Sequence, residues 1–480
     1  MGILKLTPLM HRFAPKSLEL VPLNRYRGTN IAVDGHLFLH RAMYAPIPHP
    51  YSHLAGILSL CRTLLHYEIR PIFVFDGQTR LPGKERERDR RSRLKAAAQQ
   101  ELELTIKRQE RLEQLGALIR EIGMHEKRKI QVSKPTQTIL KPVIQGFWPE
   151  YKTIGSKVQI PDSSQGLNAL GSREKRWAER LKDLALQAIA YVKPLHAPGL
   201  SKGERWLEQQ EILLLARFAS PKTLERLEEL KMSSHNIRLA LEVRTQVLKE
   251  DYLLQVREML RLLGIPAFSS EDHEAEAMCS ALVREGYAMA TLSEDTDVLA
   301  FGDGPLLRNI RNPAHPTQVL EMRGDVARKA LGLTRDSWID MCILCGTDFS
   351  STIENVGYIR AVQYIQEHGS IEALLAAQPK LKPRMGFVPD QAREIFNRSP
   401  TFPPNLSEVL QPKPEKSREM EGFVRDYQLE EFNVCEDLAM QGPGLGSEST
   451  ITSHADMRKW MDQTGRGPEG LGPDPFSQPG

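Results

Sequence analysis

Residues 274–302 read EAEAMCSALVREGYAMATLSEDTDVLAFG, and the fold is decided by how this stretch is read. It holds two close acidic pairs, Glu274/Glu276 and Asp295/Asp297. Between them lies an apolar pattern at helical spacing, then the short run AMATL, which reads as a buried strand. A strand running into SEDTD places two Asp side chains at its C-terminal edge, where ligands bind in open α/β sheets. Glu274 and Glu276 would diverge in mid-helix, but at a helix start they converge and suit the dipole. Asp272 is the expected N-cap. Acidic pairs at both ends of one helix–strand unit repel unless a cation neutralises them, so a divalent metal is the first expectation.

Two further strands share this ending. NIAVDG (residues 30–35) and PIFVFDG (residues 71–77) are apolar runs closed by Asp34 and Asp76, with the helical LAGILSLCRTLLHY between them. Strand, helix, strand with repeated carboxylate endings is the signature of a parallel sheet. A lone Asp there would be a turn opener or a cap; three such endings point to a shared edge. Asp348 follows the helical stretch GLTRDSWIDMCILCGTDF. The collected set is Asp34, Asp76, Glu274, Glu276, Asp295, Asp297 and Asp348. Hard oxygen ligands without His or Cys select magnesium, with manganese as substitute, over zinc. Seven carboxylates exceed the needs of one ion, so two ions on the order of 4 Å apart are expected. Phosphodiester hydrolysis is the chemistry that uses such a site.

The span KERERDRRSRLK (residues 84–95) carries seven basic and three acidic side chains. Such a run is usually a solvated helix face. Directly after the Asp76 strand end, however, it places Lys84, Arg88, Arg90 and Arg91 where they can meet phosphate. A long amphipathic helix is expected from Leu94 to about Gly123. Residues 126–171 lose periodicity and read as irregular, and helical patterns return at 172–192 and 203–231. PLLRNI and TQVLEM read as a paired strand set.

The expected domains are 1–83, the first part of the catalytic domain; 84–235, a helical insertion with a disordered middle; 236–322, its internal part; 323–398, helical; and 399–480, a mostly disordered tail with a short element near Phe423–Phe432. The chain has 480 residues, 40% hydrophobic, with a formal net charge of only +3, so any nucleic-acid surface must come from local clustering. Five scattered cysteines argue for a reducing compartment rather than a disulfide framework. Cys342-x-x-Cys345 stands alone and reads as two core thiols. No apolar run reaches membrane length, there is no secretory leader pattern, and Leu6 breaks the myristoylation pattern. No membrane partner is therefore expected.

The motifs MGI, AVDG, FVFDG, EAEAMCSALVREG, SEDTDVLAFG and CILCGTDF, in this order, resemble the flap endonuclease/XPG-type 5′-nuclease family over residues 1–90 and 250–375. The resemblance implies a PIN-like α/β fold: a parallel sheet flanked by helices, a helical arch-like insertion and a C-terminal helix-two-turn-helix region. It implies that Glu276, Asp295 and Asp297 lie closest to two magnesium ions. Lys84 and Arg90 are implied as catalytic cations, His40 as a ring stacking near the scissile phosphate, and Gly2, freed by loss of Met1, as a neighbour of the site. Gly2, Arg88, Arg91, Gly357 and Arg360 are the expected DNA contacts.

In the family the helix-two-turn-helix holds duplex and a potassium ion through a Gly-x-Gly turn and a Lys. Here Asn355 replaces the first Gly and Arg360 is expected to serve for the Lys. His273 departs from the family's usual residue before Glu274, and the insertion is longer than in compact flap nucleases. The implied function is magnesium-dependent cleavage of DNA at flaps, nicks or 5′ ends in repair or replication. The opposing reading is a catalytically weak nuclease-fold scaffold binding RNA or protein. Flap, nicked or branched duplex DNA is the expected partner, no sliding-clamp motif is found, and a nuclear monomer is expected, with the mitochondrion as the alternative location.

Overall fold

A computed structural model describes residues 2–44, 49–77, 83–125, 172–190, 202–216, 223–411 and 413–433. The irregular stretch 126–171 and the tail beyond 433 lie outside these residues. The chain divides into two compact units, one from Met1–Arg90 and Val247–Met457, the other chiefly from Arg91–Gln246.

The first unit is built on seven strands: β1 (Leu18–Pro22), β2 (Asn30–Asp34), β3 (Arg70–Asp76), β4 (Ala267–Ser270), β5 (Ala290–Leu292), β6 (Pro305–Arg308) and β7 (Gln318–Arg323). They lie in the order β1-β7-β6-β5-β2-β3-β4. The five strands from β6 to β4 are parallel, and β7 and β1 join antiparallel. The expected parallel sheet is therefore parallel at its centre and antiparallel at one edge. The paired strands read from PLLRNI and TQVLEM are β6 and β7.

The central strands read as apolar runs because both sheet faces are covered. Ile31 and Val33 of β2 face a core shared with the helices Ser52–His66, Glu250–Leu262 and Ser417–Asp426. Ala32 faces the opposite way, against Met278 and Leu282 of the helix Ala275–Arg284. A third core joins the helix Leu6–Phe13 to the region after β7, around Trp338 and Phe349.

Two expectations change here. Residues 399–433 do not form a loose tail. Met420, Val424 and Leu429 are buried against the sheet-covering helices, and Arg62 ties Glu415 (2.8 and 3.0 Å) and Asn433 (2.8 and 3.0 Å) to the same core. The basic run and the amphipathic stretch after it form a single helix, Glu85–His125.

The second unit is helical. Leu112, Leu115 and Ile119 pack with Trp177, Leu181, Leu207 and Leu227. Beside this core lies a buried polar ladder, in which Arg108 pairs with Glu204 (2.7 Å) and Arg111 with Glu211 (2.7 Å). The unit boundaries fall at 90/91 and 246/247, rather than at the ends of the 84–235 span.

Candidate active site

The parallel strands deliver their carboxylates to one edge. Asp34 is the last residue of β2 and Asp76 the last of β3. Asp34 pairs in register with Val74, so Asp76 lies two residues further along and on the same face. Leu292 of β5 pairs with Val33, which sets Ser293 beside Asp34. Ser293 Oγ donates to Asp34 Oδ2 (2.8 Å), while the Leu37 N–H donates to Asp34 Oδ1 (3.0 Å).

The SEDTD loop folds back on itself. The Asp295 N–H donates to Ser293 Oγ (3.0 Å), and the Asp297 N–H donates to Asp295 Oδ1 (2.9 Å). Glu274, not Asp272, occupies the N-cap position of the helix Ala275–Arg284. Asp272 is turned to Thr401, accepting from its hydroxyl at 2.7 Å. The helix start is instead bound from across the sheet, where the Ala275 N–H donates to Asp76 Oδ1 (2.9 Å). His273 is buried; its Nδ1 accepts from the Glu274 N–H (3.0 Å) and its Nε2 lies 3.2 Å from the Ile395 carbonyl. That pairing assigns the proton to Nε2 and fixes the backbone of Glu274.

Charge accumulates at this edge. Burial, with the charges of Asp76 and Asp295 adding to it, pushes the Asp34 carboxyl up to about 7 against hydrogen bonds that favour ionisation. Glu276 is raised well above the ordinary range by burial and by Asp34, Glu274 and Asp295. Asp297 is raised likewise by burial and by Asp295 and Asp348. Lys84 Nζ reaches Glu274 Oε1 at 2.6 Å and Asp348 Oδ2 at 3.9 Å. Burial works against the Lys84 charge, but Glu274, Glu276 and Asp348 overrule it, so the ammonium is held protonated. The ammonium also lies 5.0 Å from the centre of the Phe349 ring. Thus the seven acids drawn from distant segments form one electrostatic group, and Lys84 is the cation set among them.

Gly2 closes the site on one side. Its backbone is left-handed, at φ +81°, and an added Cβ would fall 2.0 Å from Asp295 Oδ1 and 2.9 Å from Asp297 Oδ1. Only glycine fits so near these acids.

Other expected residues stand further off. Arg90 is clasped by Glu87 at 2.6 and 2.7 Å, with Asp348 of the site acting on its charge as well. Arg88 lies 3.2 Å from Glu85. Arg91 begins the second unit. His40 sits one helical turn beyond His36; their ring centres are 5.0 Å apart, and His40 stacks on Tyr44. His36, which sequence reading passed over, is the nearer of the two, with Nε2 3.8 Å from Asp76 Oδ2. Its only sequence signal is its place two residues after Asp34. Gly357 starts the helix Tyr358–His368 with nothing within 4 Å of a would-be Cβ. Asn355 takes up the left-handed conformation (φ +59°) that the missing glycine would adopt, and Arg360 Nη1 donates to its carbonyl (2.7 Å).

A hard divalent cation fits this donor set. All the donors are oxygens, the acids raise one another, and among the described residues Asp297 Oδ1 is buried without a hydrogen-bond partner. Among the described residues no group of three His, Cys, Asp or Glu side chains is placed closely enough to hold a metal ion.

Residues 1–98 match the XPG N-terminal domain and residues 264–348 the XPG I-region, the two segments that supply all seven acids. The chain thus carries both segments of the XPG family. It is 33% identical to flap endonuclease 1 of Ostreococcus tauri over 219 residues, 44% of this chain and 56% of that one. It is 31% identical to flap endonuclease 1 of Glossina morsitans morsitans over 253 residues, 51% of this chain and 64% of that one. The match thus spans about half to two thirds of these flap endonucleases' length. Flap endonuclease-1 from Methanococcus jannaschii superimposes with a TM-score of 0.45 at 15% identity, covering 87% of this chain and 93% of that one.

Proposed function

We propose that this chain is a magnesium-dependent, structure-specific 5′ nuclease that hydrolyses DNA phosphodiesters at flaps, nicks or 5′ ends. The reading is supported by the mutual influence of seven carboxylates from five segments, with Lys84 on Glu274 and Asp348 and with Gly2 against Asp295 and Asp297. Glu276, Asp295 and Asp297 would hold two magnesium ions, or manganese, with Asp34, Asp76, Glu274 and Asp348 beside them. Bound there, such ions supply an activated water and neutralise charge on the phosphoryl oxygens.

The chain's own groups have distinct tasks. Ser293 and the Leu37 N–H hold Asp34 in one orientation, and His273 and Asp76 hold the start of the helix that carries Glu274 and Glu276. Lys84 is a protonated, nearly buried donor that can turn from Glu274 to a phosphoryl oxygen, where its charge opposes the charge gained in the transition state. Gly2 keeps the approach to Asp295 and Asp297 clear. Arg90 would have to leave Glu87 to reach a phosphate, so its role is the lesser one. His40, half-buried in the middle of the His36–His40–Tyr44 row, would offer a ring to a nucleotide base. Arg88 and Arg91 would contact phosphates flanking the site. The backbone start at Gly357 and Arg360 would grip duplex, with potassium as the cation of that turn. Nuclear location and action as a monomer accompany this reading.

The test is cleavage of end-labelled 5′ flap, nicked, gapped, Holliday-junction and single-stranded DNA with magnesium, beside Asp297→Asn. The wild type should cut at least one branched or nicked substrate and the variant none. Single products of flap length would mark an endonuclease, and mononucleotides an exonuclease. If the wild type cuts nothing, the chain is a nuclease-fold scaffold.

A further inference from the structure

The seven acids make an all-oxygen donor set, which suits magnesium. One imidazole stands beside them. His36 is the second residue of the helix Gly35–Tyr44, two residues after Asp34, and its Nε2 lies 3.8 Å from Asp76 Oδ2. Packing fixes this pair. Asp34 pairs in register with Val74, which sets the end of β2 beside the end of β3. Gly35 rests on the buried ring of Phe75, the residue before Asp76, and a Cβ there would fall 2.7 Å from that ring. Asp76 Oδ1 is held by the Ala275 N–H (2.9 Å), which leaves Oδ2 as the oxygen facing the imidazole.

A gap of 3.8 Å is too long for a hydrogen bond, so Nε2 is not committed to Asp76. Among the described residues Nδ1 is buried and makes no hydrogen bond, which leaves Nε2 as the ring nitrogen able to take a ligand. The other histidines near the acids are engaged. His40 stacks on Tyr44, and both ring nitrogens of His273 face backbone groups. Two donors each about 2.1 Å from a common ion stand roughly 3 to 4 Å apart, and the His36–Asp76 separation falls in that span. A nitrogen donor favours a transition ion over magnesium, which prefers oxygen and gives up water reluctantly. Among transition ions the carboxylate majority still suits manganese.

We propose that His36 is a metal ligand, its Nε2 joining Asp76 Oδ2 on one divalent ion at the β2–β3 side of the site, and that this nitrogen makes the centre select manganese over magnesium. The inference rests on the metal centre of the nuclease reading. It adds to that centre a donor outside the seven acids and a choice of ion.

Pulsed electron paramagnetic resonance of the full chain, stripped with EDTA, dialysed and loaded with substoichiometric manganese in the absence of DNA, tests it. The bound manganese should show modulation from a coordinated imidazole nitrogen. That signal should vanish in His36→Ala and stay in His40→Ala. Wild-type protein carrying nitrogen-15 histidine should shift the modulation to the heavier isotope, a control that holds even if His36→Ala folds poorly. In His36→Ala the manganese Kd, read from the signal of the free ion, should rise about tenfold. The magnesium Kd, read by displacement of manganese, should change by less than about threefold. Bound manganese without a histidine nitrogen, or with one that persists in His36→Ala, overturns the proposal, as do equal losses for the two ions. If the signal depends on His36 and no DNA is cut, the ligand stands and the nuclease reading falls. If DNA is cut and the manganese carries no nitrogen signal, the nuclease reading stands and the ligand falls. A chain that binds neither ion overturns both.

Discussion

Replacing Asp34 by Asn should make the metal-free protein more stable at mildly alkaline pH, although it damages the site. In the folded chain the Asp34 carboxyl is pushed up to about 7 from an ordinary 3.8, because it is buried among Asp76 and Asp295. Between these two values the native state holds a proton that the unfolded chain has lost. Stability in the absence of metal therefore falls as pH rises through that window and levels above about 7. A shift of about three pH units corresponds to about 4 kcal/mol, an upper figure for one member of an interacting set. The Asn carbonyl can still accept from Leu37. Its amide would face Ser293 Oγ, which must then accept instead of donate, a loss of about 1 kcal/mol. The variant should thus gain about 3 kcal/mol over the wild type near pH 8 in EDTA, but only about 0.5 kcal/mol near pH 5, where keeping Asp34 protonated costs the wild type roughly 1.6 kcal/mol against about 1 kcal/mol for the variant's lost hydrogen bond.

Magnesium should narrow that gap at pH 8. A ligand at about a hundred times its Kd adds about 2.7 kcal/mol to the wild type and less to a variant missing a ligand charge. Urea midpoints of both proteins at the two pH values, with EDTA or magnesium, decide it. A variant that is less stable than wild type near pH 8 in EDTA would refute the reasoning, as would a difference that does not change with pH.

Three other outcomes are expected. Gly2→Ala should lower single-turnover cleavage by about 100-fold, since its Cβ must displace Asp295 by more than the ångström that already disturbs catalysis; wild-type rates would remove Gly2 from the site. Lys84→Ala should cut turnover by about 10²–10³ with little change in DNA affinity, and Arg90→Ala by about tenfold, because Glu87 already engages it; equal losses of turnover and binding would contradict both roles. His53 is buried against Tyr252 and Gln255, and burial holds its pKa below the ordinary 6.5, so stability should fall as pH drops through about 6.5. His53→Gln should flatten that slope in thermal melts near pH 5.5–7.5, and an unchanged slope would rule His53 out.

The carboxylates were legible in the sequence because each one ends an apolar run. Strands β2, β3 and β5 are buried on both faces, so Ile31–Val33 and Ile72–Phe75 show no alternation and their terminal Asp stands out. Strand β1 escaped for the opposite reason. LELVP is an edge strand with only Val21 buried, and its partner β7 lies some 300 residues away. On composition the segment 399–433 shows only a short element near Phe423–Phe432. Pro and polar residues dominate it, yet Met420 and Val424, one helical turn apart, and Leu429 suffice to anchor it.

What the sequence withheld about the site concerns which group sits next to which. Asp272 and Glu274 are both plausible caps in one dimension, and only the reach of Thr401 to Asp272 and of Asp76 to Ala275 separates them. His36 and His40 both lie on the helix after Asp34, and only the direction of that helix sets His36 toward Asp76 and His40 toward Tyr44. The same holds for the cations. Lys84 and Arg90 are equal members of a basic run until the helix start at Glu85 points Lys84 inward to Glu274 and gives Arg90 to Glu87. Residue type announces a charge, and the fold decides whether that charge is buried and opposed. At this sheet edge that opposition holds Lys84 charged among the acids, while Arg90 stays with Glu87.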